Sequence, residues 1–300
     1  MKFKKLGHTD LKVSTICLGT MTWGEQNNED EAFRQMDMAY DYGVNFFDTA
    51  ELYPIPPSAE TQGETSRIIS RWLKSKNIRD KIIVADKIVG RSNMDWFRDK
   101  GEPTRLNPKQ IKFALERSLK NLNTDYIDLY QLHWPERKVP RFGELDYKYD
   151  PNDNKWTTIE EILYNLNELV KVGKVRHVGL SNETPWGMMK FLEVAKEKNF
   201  PRMMSIQNVY SLVNRVFDIG HSEVSISENL GLLAYSPLAG GRLSGKYIGG
   251  INPKNARYTI WPRRCSRHHT ERGENAIDNY VGLANKYGIA PSTFANAFVN

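Results

Sequence analysis

The chain has 300 residues, 40% of them hydrophobic and 26% charged, a balance that excludes a disordered polar chain and supplies apolar material for a sizeable core. It shows neither an apolar run of about 18 residues nor an apolar leader, so no membrane span and no secretory signal are expected, and a soluble, cytoplasmic protein is. The net charge of +6 is scattered, and its densest cluster, 263–269, lacks the aromatic interleaving of a base-stacking surface; this argues against nucleic acid and leaves a phosphate-bearing cofactor or a solvated loop.

Taken in chain order, Phe3 to Leu6 and Leu11 to Ser14 flank Gly7-His8-Thr9-Asp10, a hairpin signal. A buried strand is predicted over 15–20, and a helix from Asp30 to Tyr42, where Phe33, Met36, Ala39 and Tyr40 recur at helical spacing and Gly43 ends the run. Asn45 to Asp48 reads as the next strand, running into a loop with Thr49, Ala50, Glu51, Leu52 and Tyr53, and 64–73 as its helix. The alternation continues with a strand over 81–87 and a helix opened by Pro108. A strand over 126–133 precedes a long insertion and a helix over 159–172. Strands over 177–182, 204–208 and 231–236 follow, with helices over 185–198, 216–229 and 276–287. The residues 291–299 are again helix-like.

Strict β-α alternation argues for a parallel sheet, and the count and length favour a single (βα)8 barrel domain over residues 1–300 rather than an open sheet. The strand ends add to this. Asp48, Lys87, His133, Ser181, Gln207 and Tyr235 each stand at or next to the carboxyl end of a different strand, and a closed barrel would converge such ends on one mouth. Cys17 lies in an apolar run far from Cys265, so no disulfide framework is expected.

Asp48, Tyr53, Lys87 and His133 suit proton donation. A phenol ordinarily titrates near 10, and a lysine ammonium beside it would stabilise the phenolate and loosen the proton. Asp48 would hold that ammonium, and His133 would orient a carbonyl oxygen toward Tyr53 or help move the proton. Period two points Lys87 and Ala85 one way and Asp86 the other, which makes Asp86 a poor partner for Lys87. Strand-end ion pairs and a backbone-bonded histidine are the structural alternative.

The sequence resembles the aldo-keto reductase family, and within it the bacterial Tas-like members. The motifs are 18–24 (LGTMTWG), 47–53 (FDTAELY), Lys87, 124–135 (TDYIDLYQLHWP), 173–183 (GKVRHVGLSNE), 206–208 (IQN), 235–239 (YSPLA) and 243–247 (LSGKY). This likeness implies an NADPH-dependent oxidoreductase that reduces aldehydes or ketones, with Asp48, Tyr53, Lys87 and His133 as catalytic residues and Tyr53 as the acid. It further implies that Asp48, Ser181, Asn182 and Gln207 contact NADP(H) at its nicotinamide end, with Tyr235 stacked on the ring and Thr20 and Met21 over it. Ser236, Leu238, Gly240 and Lys246 would line the pyrophosphate, and Arg257 would reach the 2′-phosphate. A small carbonyl substrate would meet Trp23, Tyr53, His133 and Trp134, beneath an insertion over 134–156 that carries Phe142, Tyr147 and Tyr149.

The chain ends at Asn300, before the eighth strand and last helix of a full barrel. A truncated reductase with open sheet edges is therefore expected, either covered by oligomerisation or weakened in cofactor binding. A non-catalytic NADP(H)-binding, redox-sensing or interaction protein is the alternative function. Cys265, His268 and His269 raise the question of a metal, but adjacent histidines in a polar loop are poor co-ligands and none is expected. A metal-dependent hydrolase would need clustered ligands at strand ends, where His133 is the one clear histidine.

Overall fold

A computed structural model of the chain describes all residues except 143 and 263–268. It packs as two compact units, one of Met1–Arg141, Leu145–Ile206 and Val224–Gly231, the other of Phe142–Glu144, Gln207–Glu223 and Leu232–Asn300.

Strands β1 (Phe3–Lys5) and β2 (Lys12–Ser14) form the expected hairpin, antiparallel with Phe3 opposite Ser14. A second sheet holds seven strands hydrogen-bonded in chain order: β3 (Leu18–Gly19), β4 (Phe46–Asp48), β5 (Ile83–Ile88), β6 (Ile127–Leu132), β7 (Val175–Ser181), β8 (Met203–Val209) and β9 (Gly231–Tyr235). The pairs from β3 to β7 are parallel. Helices α1 (Glu29–Asp41), α2 (Glu64–Lys76), α3 (Pro108–Leu122), α4 (Ile159–Lys171) and α5 (Pro185–Lys198) alternate with the strands. Strands covered on both faces read as continuous buried runs, and β6 is buried at all six positions. The architecture is the α/β, TIM-barrel-type fold expected, and seven parallel-sheet strands occur among the described residues.

The helix ends are written in the sequence. Asn28 and Glu31 form a reciprocal capping box at α1, and Asn107, Thr158 and Thr184 each accept the backbone N–H three residues on. Pro108 and Pro185 stand in the first turn, where the missing N–H would have had no helical partner. At the other ends Asn77, Asn123 and Asn199 take left-handed φ of 54°, 47° and 53°, conformations that asparagine tolerates better than most residues.

Two elements differ from expectation. The strand expected over 15–20 is confined to Leu18–Gly19, because side chains satisfy the backbone before it. Ser14 Oγ donates to the Ile16 carbonyl at 2.7 Å, and Ser14 N donates to Asn45 Oδ1 at 2.8 Å. The helix expected over 216–229 is split: a 3-10 turn spans Val216–Asp218, Gly220 turns left-handed at φ 79°, and α6 covers only His221–Ser227.

The second unit adds the short α7 (Arg257–Ile260), α8 (Glu271–Lys286) and α9 (Pro291–Val299). Leu212, Ala239, Leu243, Ile277, Val281 and Ala295 make its buried core. Among the described residues no helix is long and apolar enough to cross a membrane.

Candidate active site

The register of the parallel strands explains how four distant residues meet in the first unit. Asp48 pairs with Ala85, and Lys87, two positions further on, emerges on the same face of β5 and pairs with Gln131 of β6. Lys87 is fully buried. Its Nζ donates to Asp48 Oδ1 at 2.5 Å, to the Thr49 carbonyl at 2.7 Å and to Tyr53 Oη at 3.4 Å. Those contacts use all three ammonium protons. The other carboxylate oxygen, Asp48 Oδ2, accepts from Gln131 Nε2 at 3.0 Å, and Thr20 Oγ1 donates to the Asp48 carbonyl at 2.8 Å.

Tyr53 is held at the end of a short loop, its N–H on the Ala50 carbonyl at 3.0 Å and its carbonyl taken by Gly63 N at 2.8 Å. The His133 ring stands edge-on to it with centroids 5.9 Å apart. The His133 N–H continues the ladder to Ile88 O at 2.8 Å, and its carbonyl accepts from Asn182 Nδ2 at 2.9 Å. Its Nδ1 is buried without a hydrogen-bond partner among the described residues. Leu52, Val89 and Trp134, with Met21, Ile55 and Met94, form an apolar wall around Tyr53.

Burial sets the electrostatics first. It pushes the Lys87 ammonium down, but Asp48, with Tyr53 and Asp86 adding to it, outweighs that and holds the group charged, above the ordinary lysine range. Burial pushes the Tyr53 phenol up, and Lys87 recovers only part of that. The loosened proton expected of this phenol is thus not found in the resting protein, since desolvation exceeds the pull of an ammonium 3.4 Å away. Burial, and Lys87 after it, hold His133 well below its usual value, so its imidazole is neutral.

Asp86 lies on the opposite face, as period two requires, fully buried and pushed up to about 7 by that burial. Among the buried polar residues of the quoted motifs that had no role assigned from sequence are Gln131 and Glu51. Glu51 Oε1 accepts from Val89 N and Arg98 Nη2, both at 2.8 Å, and its Oε2 accepts from Arg98 Nη1 at 3.0 Å and Arg117 Nη2 at 2.9 Å. Their signal was an uncharged amide and a lone acid inside apolar runs, where a buried polar group needs a partner.

Ser181 and Asn182 close β7, with Asn182 at φ 52° and its Nδ2 also on Ser181 Oγ at 3.1 Å. Trp134 is 5% exposed, its indole N–H on Arg91 O at 3.0 Å. Trp23, expected on the substrate rim, is instead wholly enclosed, its indole donating to Gln35 of α1 at 2.9 Å. Thr65 of α2 holds the Trp23 carbonyl at 2.7 Å. The insertion is anchored by buried Glu136, which receives Leu106 N at 2.5 Å and Thr157 Oγ1 at 3.1 Å. Tyr147 and Tyr149 stand out in solvent.

The second unit carries the remaining expected residues. Gln207 is buried, and the Tyr235 carbonyl accepts from Tyr210 N at 3.2 Å. After β9 the backbone turns left-handed at Ser236, Ala239, Gly240 and Gly241, with φ of 57°, 49°, 70° and 101°. A Cβ at Gly240 would meet the Tyr258 ring, and one at Gly241 would lie 3.3 Å from Lys246 Nζ. A bare glycine backbone beneath an ammonium is a cradle suited to a phosphate. Leu238 packs against the unit's core, and Arg257 opens α7. Of the basic 263–269 segment, Cys265 and His268 lie outside the described residues. His269 contacts the guanidinium of Arg242, which also pairs with Glu274 and stacks 4.5 Å over Tyr258. No cluster of three or more potential metal ligands occurs among the described residues.

The sequence profile of the Aldo/keto reductase family matches residues 15–300. The chain belongs to the aldo/keto reductase family. It is 44% identical over 301 residues to "Protein tas" of Escherichia coli (strain K12), a match covering all of this chain and 86% of that protein. It is 35% identical over 249 residues to "Uncharacterized oxidoreductase YrpG" of Bacillus subtilis (strain 168), covering 83% and 70%. It is 29% identical over 250 residues to "Norsolorinic acid reductase B" of Dothistroma septosporum, covering 80% and 57%. A match spanning 86% of the tas protein does not support the truncation expected from the sequence. Membership of this family makes the chain a carbonyl-reducing oxidoreductase.

Proposed function

We propose that the protein reduces aldehydes or ketones to alcohols with NADPH as the reductant and Tyr53 as the proton donor. The observation that carries this reading is the fully buried Lys87 ammonium, fixed by Asp48 and Thr49 and directed at Tyr53 Oη. When bound, the nicotinamide supplies the hydride. As negative charge builds on the carbonyl oxygen, Tyr53 passes its proton to it and Lys87 stabilises the phenolate left behind. A strongly basic alkoxide takes the proton even from a phenol raised by burial, and that rise keeps Tyr53 protonated beforehand. The neutral His133 ring offers one N–H to orient the carbonyl oxygen. Among the chain's own groups, Ser181 and Asn182 are assigned to the nicotinamide amide, and the glycine cradle with Lys246 to the pyrophosphate. The apolar wall of Leu52, Val89 and Trp134 favours substrates with hydrophobic substituents.

Titration with NADPH and with NADH, followed by intrinsic fluorescence, tests the cofactor, and addition of 4-nitrobenzaldehyde tests turnover. The expected result is saturable NADPH binding, tighter than NADH, and oxidation of NADPH once aldehyde is present. Binding without oxidation would favour the redox-sensing alternative, and no binding at millimolar NADPH would overturn the reading.

A further inference from the structure

The carboxylate that controls Lys87 is itself controlled. Asp48 Oδ1 faces the ammonium while Oδ2 faces the Gln131 amide at 3.0 Å. A carboxylate bonded at one oxygen can turn about its last torsion and carry its partner with it; one bonded at both cannot without breaking a charge-assisted hydrogen bond. Gln131 is fully buried in the middle of an apolar strand, an unfavourable place for an amide unless hydrogen bonds offset its desolvation. The neighbouring strand leaves room for it. Gln131 pairs with Gly179 of β7, and a Cβ there would come within 3.3 Å of Gln131 Cγ and collide with Ser205 Oγ.

We propose that Gln131 is a positioning residue of the reductase site, locking the Asp48 carboxylate so that its other oxygen keeps the Lys87 ammonium aimed at Tyr53. The inference rests on the proposed proton donation and adds to it a residue that touches neither substrate nor reacting atoms. Lys87, Tyr53 and Cys17 are titratable groups that interact with this carboxylate.

Three variants test it. Gln131→Met keeps the length and removes the donor, and kcat is expected to fall about tenfold or more while KM and NADPH affinity change less than about threefold. Gln131→Glu places a second carboxyl against Asp48; the two share a proton at low pH, where the introduced carboxyl donates to Asp48 and restores the lock, and they repel when that proton is lost. Its kcat is expected to stay near wild type at the acid end and to fall as pH rises, in a limb that wild type lacks. Gln131→Met on an Asp48→Asn background is expected to cost no further kcat. Wild-type kcat and pH profile in the Met and Glu variants, with only thermal stability reduced, would show a packing role and overturn the inference. Should the wild-type chain reduce no carbonyl, the functional reading fails on its own. The titration of 13Cζ-labelled Tyr53, assigned by its loss in Tyr53→Phe, then decides: a higher midpoint in Gln131→Met supports the lock, and an unmoved one overturns it.

Discussion

Asp86 and Lys87 are neighbours in sequence and opposites in effect. Lys87 is buried with a carboxylate on one side and a carbonyl on another, while Asp86 is fully buried and contacts from Ser118 and the Lys87 N–H offset only part of the cost of that burial. A carboxyl so placed keeps its proton in the fold up to about 7, whereas the unfolded chain releases it near 3.8. Between those values folding takes up a proton, so stability falls as pH rises from about 4 to about 7 and the penalty is complete above that. The full cost is on the order of 4 kcal/mol. Asp86→Asn is therefore expected to raise stability over wild type more at pH 8 than at pH 5 in denaturant unfolding. An equal gain at both pH values would contradict the assignment.

At the scale of elements, the loop after β4 carries Tyr53 and is fixed from below by Glu51. That carboxylate ties the loop to β5 through Val89 N, to the following segment through Arg98 and to α3 through Arg117. Arg98 is itself buried, so Glu51→Gln leaves a charge without its counterion; about 3–5 kcal/mol is the expected loss. An exposed cap offers the contrast: Asn28→Ala at α1 is expected to cost only about 1 kcal/mol. Thermal unfolding of the two variants side by side checks the ranking, and a Glu51 effect no larger than the Asn28 effect would contradict the pinning role. Helix positions were legible from the apolar spacing of Phe33, Met36, Ala39 and Tyr40 and from Pro108, which opens α3. The strand over 15–20 was not. Its early residues look apolar and β-like, but the bonds of Ser14 that replace the ladder involve Asn45, distant in sequence.

For the molecule as a whole, the alternation of elements made the fold readable in the sequence, and the polar strand ends pointed to the meeting of Asp48, Lys87 and Tyr53 with His133 beside Tyr53. Two kinds of fact were hidden. Register decides which inward residue meets which, so the bond from Gln131 to Asp48, across 83 residues, has no signature beyond an amide in an apolar run. Depth decides whether a residue after a strand stays beside the strand-end groups or sinks under a helix: Trp23 follows a strand as Tyr53 does, yet its indole is engaged by Gln35 of α1. The same depth reverses a simple electrostatic expectation at Tyr53, where burial outweighs the ammonium. The central claim remains that this buried phenol, backed by Lys87, protonates the nascent alkoxide. Its most direct measurement is NADPH oxidation by 4-nitrobenzaldehyde in wild type and in Tyr53→Phe, with NADPH affinity measured on both. In Tyr53→Phe kcat is expected to fall by about a hundredfold or more while NADPH affinity changes less than about threefold; undiminished turnover would contradict the role of Tyr53.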